Sequence, residues 1–176
     1  MQTQMNTLQD NNKLENSKLT LMDPAVEQTK QPTAEPAPIK TFEYQFDTTL
    51  KHSNATQNVY FSNYFDWQGA VRERWFFECI DPGMLQDLGV FITKQAHNDY
   101  VRESFPFQTI RCELNAFNVQ RCSFYLSFRF YEGDELISHG YQQIVFANHE
   151  KKISKLPLEV LSKVREYEII EDLNQV

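Results

Sequence analysis

One amphipathic helix, placed between a first strand and a series of β-rich stretches, is the feature that most restricts the fold of this chain. Between residues 62 and 76, mostly apolar side chains recur at i, i+1, i+4, i+7 and i+8, which is the spacing of a helix with one buried face. The stripe consists of Tyr64, Phe65, Gln68, Val71, Arg72, Trp75 and Phe76. Ser62 suits the N-cap, and Asp66 would place a negative charge in the first turn.

The stretches around this helix have the alternation and composition of β-strands. A first strand is predicted at residues 41–50, and an Asp81-Pro-Gly turn follows the helix. Four further strands are predicted at about residues 89–101, 107–117, 121–131 and 135–146. This order predicts an α+β fold in which an antiparallel sheet wraps around one long helix. A short helix is predicted at residues 156–166, with Pro157 in its first turn.

Two polar side chains, Gln68 and Arg72, interrupt the apolar stripe. A guanidinium keeps its proton at neutral pH, and an unpaired buried charge is costly. If this face of the helix is covered, Arg72 needs a partner or a ligand, and it is a candidate for binding a polar or anionic group at the end of a pocket. Alternatively, Arg72 lies along the edge of the stripe with its stem buried and its head in water.

The loop and the helix together carry a motif. The run Asn54-x-x-Gln-Asn-Val-Tyr-Phe-Ser-Asn-Tyr-Phe-Asp-Trp resembles the start of hotdog thioesterases of the 4-hydroxybenzoyl-CoA thioesterase type. Its continuation, Trp67-Gln-Gly-x-x-Arg-Glu, is similar to the thioesterases of enediyne polyketide biosynthesis. On this resemblance, Asn54 matches the catalytic asparagine of that subgroup and Arg72 its catalytic arginine. Gln57 departs from the pattern, which commonly has glycine there.

The resemblance implies a hotdog fold and a thioesterase that releases an acyl or β-ketoacyl chain of polyketide type from an acyl carrier protein or coenzyme A. An amide cannot take the proton of water at neutral pH, so a nucleophile or base at Asn54 is disfavoured. A thiol leaves without much acid help, and backbone N–H groups around residues 60–62 would stabilise the oxyanion. Arg72 would bind or polarise the acyl portion.

Other residues are candidates for contacting the substrate by their position in the motif or on the stripe, and Thr93 is a candidate because it resembles a pocket threonine of the family on the strand after the helix. They are Tyr60, Phe61, Tyr64, Phe65, Gln68 and Thr93. Aromatic residues at helical spacing also commonly fill a core, and Tyr64 fits either role. Glu73 points away from the stripe by helical phase, which favours a surface or structural role.

A second function of another class is compatible with the same residues. The missing carboxylate at Asn54 and the replacement at Gln57 both favour a non-catalytic hotdog module that binds an acyl carrier or another partner protein. A hotdog dehydratase fits less well, because no histidine and acid are placed in the dehydratase pattern around the helix.

Composition divides the 176 residues into one domain with two tails. Residues 1–40 are polar and proline-containing, which predicts a disordered arm, while residues 41–166 carry the aromatic core of the hotdog domain and 167–176 form a C-terminal tail. The four histidines and three cysteines lack ligand spacing, so no metal and no cofactor are expected.

Charge and hydropathy bear on partners and location. The net charge of −7 argues against nucleic-acid binding but not against an acidic carrier protein, since local patches steer association. No apolar stretch is long enough to span a membrane, and no signal peptide is evident, so a cytoplasmic location is expected. A sheet around one helix leaves its edges open, which predicts an oligomer, and the resemblance implies a homodimer or homotetramer. The resemblance implies that its active sites lie between subunits.

Overall fold

Five antiparallel strands form one sheet with the order β1-β3-β4-β5-β2. The computed structural model describes residues 38–83 and 89–170. The elements are β1 (Phe42–Asp47), α1 (Ser62–Trp75), β2 (Val90–Tyr100), β3 (Thr109–Phe117), β4 (Ser123–Glu132), β5 (Glu135–Ala147) and α2 (Leu158–Arg165). A 3-10 turn at Leu50–His52 precedes α1, and a π-helical turn at Phe76–Ile80 extends it. The predicted order of strands and helices is confirmed, whereas the predicted arm lies, up to residue 37, outside the described residues.

Helix α1 packs its buried face on the sheet. Its buried residues are Tyr64, Trp67, Gln68, Val71 and Trp75. The tyrosine and tryptophan rings of this face reach β4, where Phe130 lies 5.2 Å from the Tyr64 ring and 6.3 Å from the Trp67 ring. The buried face of α1 is therefore rotated by part of a turn from the predicted stripe, since Trp67 is buried while Phe65 and Arg72 are only half-buried.

The start of α1 differs from the expected capped start. Ser62 is the first helical residue rather than the N-cap, and the cap position is Phe61, which makes no side-chain capping bond. Asp66 lies beyond the first turn, which contains no acidic residue. Since capping side chains normally satisfy the free N–H groups at a helix start, backbone donors remain available at this end of α1.

Strand β2 is an edge of the sheet and contains a bulge. Its register with β5 shifts between Thr93 and Gln95. Before the shift, Phe91 and Thr93 contact residues of α1 or the turn after it, and after the shift Asn98 does so. An unbroken strand would direct only every second residue to one face, so the bulge is what allows Thr93 and Asn98 to face the same helix.

The chain after α2 remains attached to the sheet. Tyr167 is buried in the core, and its backbone carbonyl accepts a hydrogen bond from Ala116 N–H at 2.9 Å. Glu168 forms a parallel bridge with Ala116. The domain boundary at residue 166 stays a prediction, and residues 171–176 of the predicted tail lie outside the described residues. Within the described ranges, no helix combines the length and apolarity needed to cross a membrane.

Candidate active site

Arg72 lies near the end of α1, with a quarter of its side chain exposed. Its Nη1 donates to Thr93 Oγ1 at 2.5 Å and to Gln142 Oε1 at 2.9 Å. In the part of the chain that the structure describes, its one carboxylate contact is with the exposed Glu73, 3.5 Å away. Neutral acceptors therefore orient the guanidinium, and its positive charge is only weakly compensated.

A buried chain of polar side chains supports Arg72 from the interior. Gln142 Nε2 donates to Gln68 Oε1 at 3.3 Å, and Gln68 Nε2 donates to Asn98 Oδ1 at 3.0 Å. Asn98 Nδ2 donates to Ser138 Oγ at 2.7 Å, and that hydroxyl donates to a backbone carbonyl. Gln68 has no exposed surface, so it fixes the partner of Arg72 from within the protein. Direct substrate contact by Gln68 remains a sequence prediction.

An apolar cavity of ≈ 220 Å³ lies beside Arg72. Its apolar walls are Trp75, Phe76, Val90, Phe91, Phe124 and Ile144. The Phe91 ring packs edge-to-face on the rings of Phe76 and Phe124, at 4.6 Å and 5.6 Å. A cation beside an apolar recess can hold a polar group while an attached hydrocarbon chain occupies the recess.

Asn54 lies in a tight loop before α1. Its N–H donates to Asn58 O at 3.0 Å, and Gln57 N–H donates to Asn54 O at 3.0 Å. Thr56 N–H donates to the side-chain oxygen of Asn54 at 2.9 Å, and the Thr56 hydroxyl lies 2.6 Å from the same atom. The amide nitrogen of Asn54 has no protein partner within residues 38–83 and 89–170. Asn54 therefore offers N–H donors, which suit a carbonyl oxygen.

The backbone at Gln57 adopts the left-handed conformation, with φ 68°. This is the region that glycine enters without steric cost, so the loop keeps the geometry that a glycine at this position would favour. Gln57 thus differs from the glycine of the motif in its side chain, while the backbone at this position keeps the left-handed conformation.

Replacing Gln57 with glycine is expected to stabilise the protein by up to ~1 kcal/mol. A side chain in the left-handed region costs about 1–2 kcal/mol, and the greater freedom of glycine in the unfolded chain offsets part of the gain. Urea unfolding of Gln57→Gly should be compared with that of Gln57→Ala, which keeps the Cβ. Equal free energies of unfolding for the two variants would contradict this prediction.

A second cavity, of ≈ 300 Å³, is lined by Asn54 together with Tyr60, Phe61 and Tyr64. The Tyr64 hydroxyl and Ser104 Oγ are 2.8 Å apart, and burial raises the pKa of the Tyr64 phenol. Tyr64 therefore serves as both a core aromatic and a wall of this cavity, with its hydroxyl protonated at neutral pH.

Of the backbone N–H groups at residues 60–62 that are predicted to stabilise an oxyanion, one already donates a hydrogen bond within the protein. Tyr60 N–H donates to His52 O at 2.8 Å. In the described residues, the N–H groups of Phe61 and Ser62 have no acceptor, which leaves them for a ligand or water at the helix start.

The predicted catalytic residues line different cavities of one protomer. Asn54 precedes α1, whereas Arg72 lies ten residues after its start, about 15 Å along the axis at the usual helical rise. Thr93 is hydrogen-bonded to Arg72, while half-buried Phe65 lines neither of these two cavities.

Gln142 and Asn98 were not predicted as site residues, because only the strand register places them against α1. The described residues contain no cluster of three side chains suited to a metal ion.

Known structures share this architecture. The dynemicin thioesterase, whose crystal structures concern polyene binding, matches with a TM-score of 0.68 and 20% identity over 75% of this chain and 100% of that one. A 1,4-dihydroxy-2-naphthoyl-CoA thioesterase from Synechocystis matches with a TM-score of 0.64 and 14% identity over 72% and 96%. A Staphylococcus aureus protein in complex with CoA matches with a TM-score of 0.69 and 16% identity over 76% and 87%.

The sequence itself carries the family assignment. No curated protein matches the chain. The family model described as the thioesterase-like superfamily matches residues 49–164, which is more than half of the chain and includes Asn54, Arg72 and Thr93. With the hotdog arrangement of one sheet and one helix, this match confirms the predicted fold and the predicted enzyme class, a thioester hydrolase. The chain belongs to the thioesterase-like superfamily.

Proposed function

We propose that this thioesterase releases an acyl or β-ketoacyl chain of polyketide type from coenzyme A or an acyl carrier protein. The observation that carries the proposal is the setting of Arg72, whose charge is held by neutral acceptors beside an apolar cavity. A β-keto oxygen would accept a hydrogen bond from the guanidinium while the hydrocarbon part of the chain fills the cavity. The likeness to a thioesterase studied with a polyene supports an apolar, chain-shaped substrate.

The donors around Asn54 suit the other end of such a substrate. Its free amide N–H groups, and the N–H groups of Phe61 and Ser62, would stabilise the oxyanion that forms on the thioester carbonyl. Donors of this kind contribute roughly a hundredfold to a thousandfold in rate. In this assignment Asn54 polarises the carbonyl and does not act as a nucleophile.

A homodimer formed through β2 would join the two cavities. The start of β2, at Val90 and Phe91, lines the Arg72 cavity, and the residues at its end, Tyr100 and Val101, line the Asn54 cavity. Two-fold antiparallel pairing about the middle of this edge strand places the start of one copy beside the end of the other. Each composite site then combines Arg72 of one subunit with Asn54 of its partner. The same dimer would be the building unit of a homotetramer.

The proposed activity is tested by measuring thiol release from acyl and β-ketoacyl thioesters of several chain lengths. Each acyl group should be presented on coenzyme A and on an acyl carrier protein, with Asn54→Ala beside the unchanged protein. We expect turnover that increases with chain length and falls roughly a hundredfold in Asn54→Ala. The carrier that supports the higher kcat/KM identifies the natural partner.

The competing function predicts a different outcome of the same experiment. A non-catalytic module would bind the loaded carrier without releasing thiol. Binding without turnover across the whole panel would therefore contradict the proposed hydrolysis and support a carrier-binding role.

A further inference from the structure

The cavity that Asn54 lines also contains a carboxylate. Glu103 follows β2 and lines this cavity together with Asn58. Its Oε1 accepts a hydrogen bond from Asn58 Nδ2 at 2.9 Å. The thioesterase motif has an amide at Asn54, so it does not itself provide a group that takes a proton from water, and Glu103 is such a group.

Glu103 and Asn54 are joined by a short polar chain. The Thr56 hydroxyl lies 2.6 Å from Asn54 Oδ1 and 2.7 Å from Asn58 Oδ1, and Asn58 reaches Glu103 through its amide nitrogen. The two segments are also tied through their backbones, since Val59 N–H donates to Ser104 O at 2.7 Å. The carboxylate is thus held near the asparagine by its own hydrogen bond and by the backbone hydrogen bond of the residue that follows it.

The charge of Glu103 is not used in an ion pair within residues 38–83 and 89–170. The neighbouring cation, Arg102, is paired with Glu135. Asn58, the hydrogen-bond partner of Glu103, is neutral. A carboxylate held by one amide keeps an oxygen atom for water, whereas one held by a guanidinium would be a weaker proton acceptor.

None of the other polar groups that line the cavity takes a proton at neutral pH. Arg102 stays protonated, and the two asparagines cannot accept a proton at neutral pH. Tyrosine phenols ordinarily keep their protons there, and burial raises the pKa of Tyr64 and of Tyr100. By this comparison, Glu103 is the one side chain among those described around the cavity that fits the role of base.

We infer that Glu103 is a catalytic base that activates the hydrolytic water, an inference that rests on the proposed thioester hydrolysis. Glu103 takes one proton as the water oxygen bonds to the thioester carbon, and the carbonyl electrons move to the oxygen held by Asn54. Collapse of this intermediate breaks the C–S bond. The thiolate leaves and takes the proton back from Glu103, so the products are a carboxylic acid and a thiol.

The test compares Glu103→Gln with two other glutamine variants. Glu159→Gln is the matched control, because Glu159 is an exposed residue of α2 that lines neither cavity described here. Glu73→Gln examines the carboxylate beside Arg72. We expect kcat for Glu103→Gln to fall about a hundredfold with little change in KM, within the range of general-base catalysis. The acid limb of its pH–rate profile should disappear, and Glu159→Gln should keep full activity.

A second variant separates chemistry from folding. Glu103→Ala opens space in the cavity, and added formate should restore part of its kcat by supplying an external carboxylate. An unchanged melting temperature in both Glu103 variants would show that the fold is intact.

Three results would overturn the inference. Full activity in Glu103→Gln, with losses in Asn54→Ala, would reject Glu103 while leaving the proposed hydrolysis in place. A loss confined to Glu73→Gln would assign the base to that residue. Absence of thiol release by the unchanged protein on every thioester would reject the proposed function together with this inference.

Discussion

Arg72→Ala is expected to lower kcat/KM by up to about a hundredfold on β-ketoacyl thioesters. The guanidinium is fixed by Thr93 and Gln142 beside the apolar cavity, and its charge is available to the β-keto oxygen of the substrate. A hydrogen bond from a charged group contributes up to ~3 kcal/mol, which corresponds to about a hundredfold in kcat/KM. Steady-state kinetics of thiol release measures this effect, and the loss should be larger with a β-keto substrate than with a simple acyl chain.

Arg74→Ala is the matched control for this variant. Arg74 lies on the same helix, is 54% exposed and pairs with Glu78, so its removal also deletes one positive charge. Removal of Arg72 additionally leaves Gln142 without its hydrogen-bond donor, which costs roughly 1–3 kcal/mol, and thermal unfolding should therefore accompany the kinetics. Equal activity of the Arg72 and Arg74 variants, both folded, would contradict the assigned role of Arg72.

Gly140→Ala is expected to destabilise the protein by roughly 3 kcal/mol. Gly140 lies opposite Asn98 in the pairing of β5 with β2. A Cβ at this position would lie 2.2 Å from the carbonyl oxygen of His97 and 2.8 Å from Gln68 Nε2. The backbone atom cannot move away without breaking the sheet, so the substitution displaces β2 and the buried chain that supports Arg72.

Gly69→Ala provides the contrast for this prediction. Apart from its chain neighbours and the backbone of its own helix, no atom of the described residues lies within 4 Å of a Cβ built at Gly69, and alanine is preferred over glycine in a helix by about 1 kcal/mol. Denaturant unfolding should therefore show an unchanged or increased stability for Gly69→Ala and a strong decrease for Gly140→Ala. A Gly140 variant as stable as the unchanged protein would mean that β2 and β5 are not as closely paired as the structure shows.

The fold could be predicted from the sequence because the patterns that indicate each helix and strand are local. The periodicity of the helix, the alternation of the first strand and the β-rich composition of the four later strands predicted the order of elements, and the structure confirms it. The shared motif supplied the thioesterase family, which the family match confirms. Carrier-protein and polyketide specificity, the oligomeric state and a cytoplasmic location stay predictions.

Less of the site could be predicted from the sequence, because the site depends on pairing between distant segments. Asn98 and Gln142 are brought into contact with Gln68 only by the register of the strands. The bulge after Thr93 also reverses the alternation of inward and outward residues along β2, so the inward residues cannot be predicted from alternation alone. Glu103 lies 49 positions after Asn54 in the sequence, so no local pattern connects them. The roles of Asn54 and Arg72 stay predictions, as do those of the proposed substrate-binding residues.

The most direct test of the central claim is subunit complementation between Asn54→Ala and Arg72→Ala. The two inactive variants should be mixed under dissociating conditions and reassociated, and thiol release from a β-ketoacyl thioester should then be measured. If Asn54 and Arg72 come from different subunits, each mixed dimer regains one intact site, and random pairing restores about a quarter of the activity. If the mixture stays inactive while the unchanged protein, treated alike, recovers turnover, the composite site is contradicted.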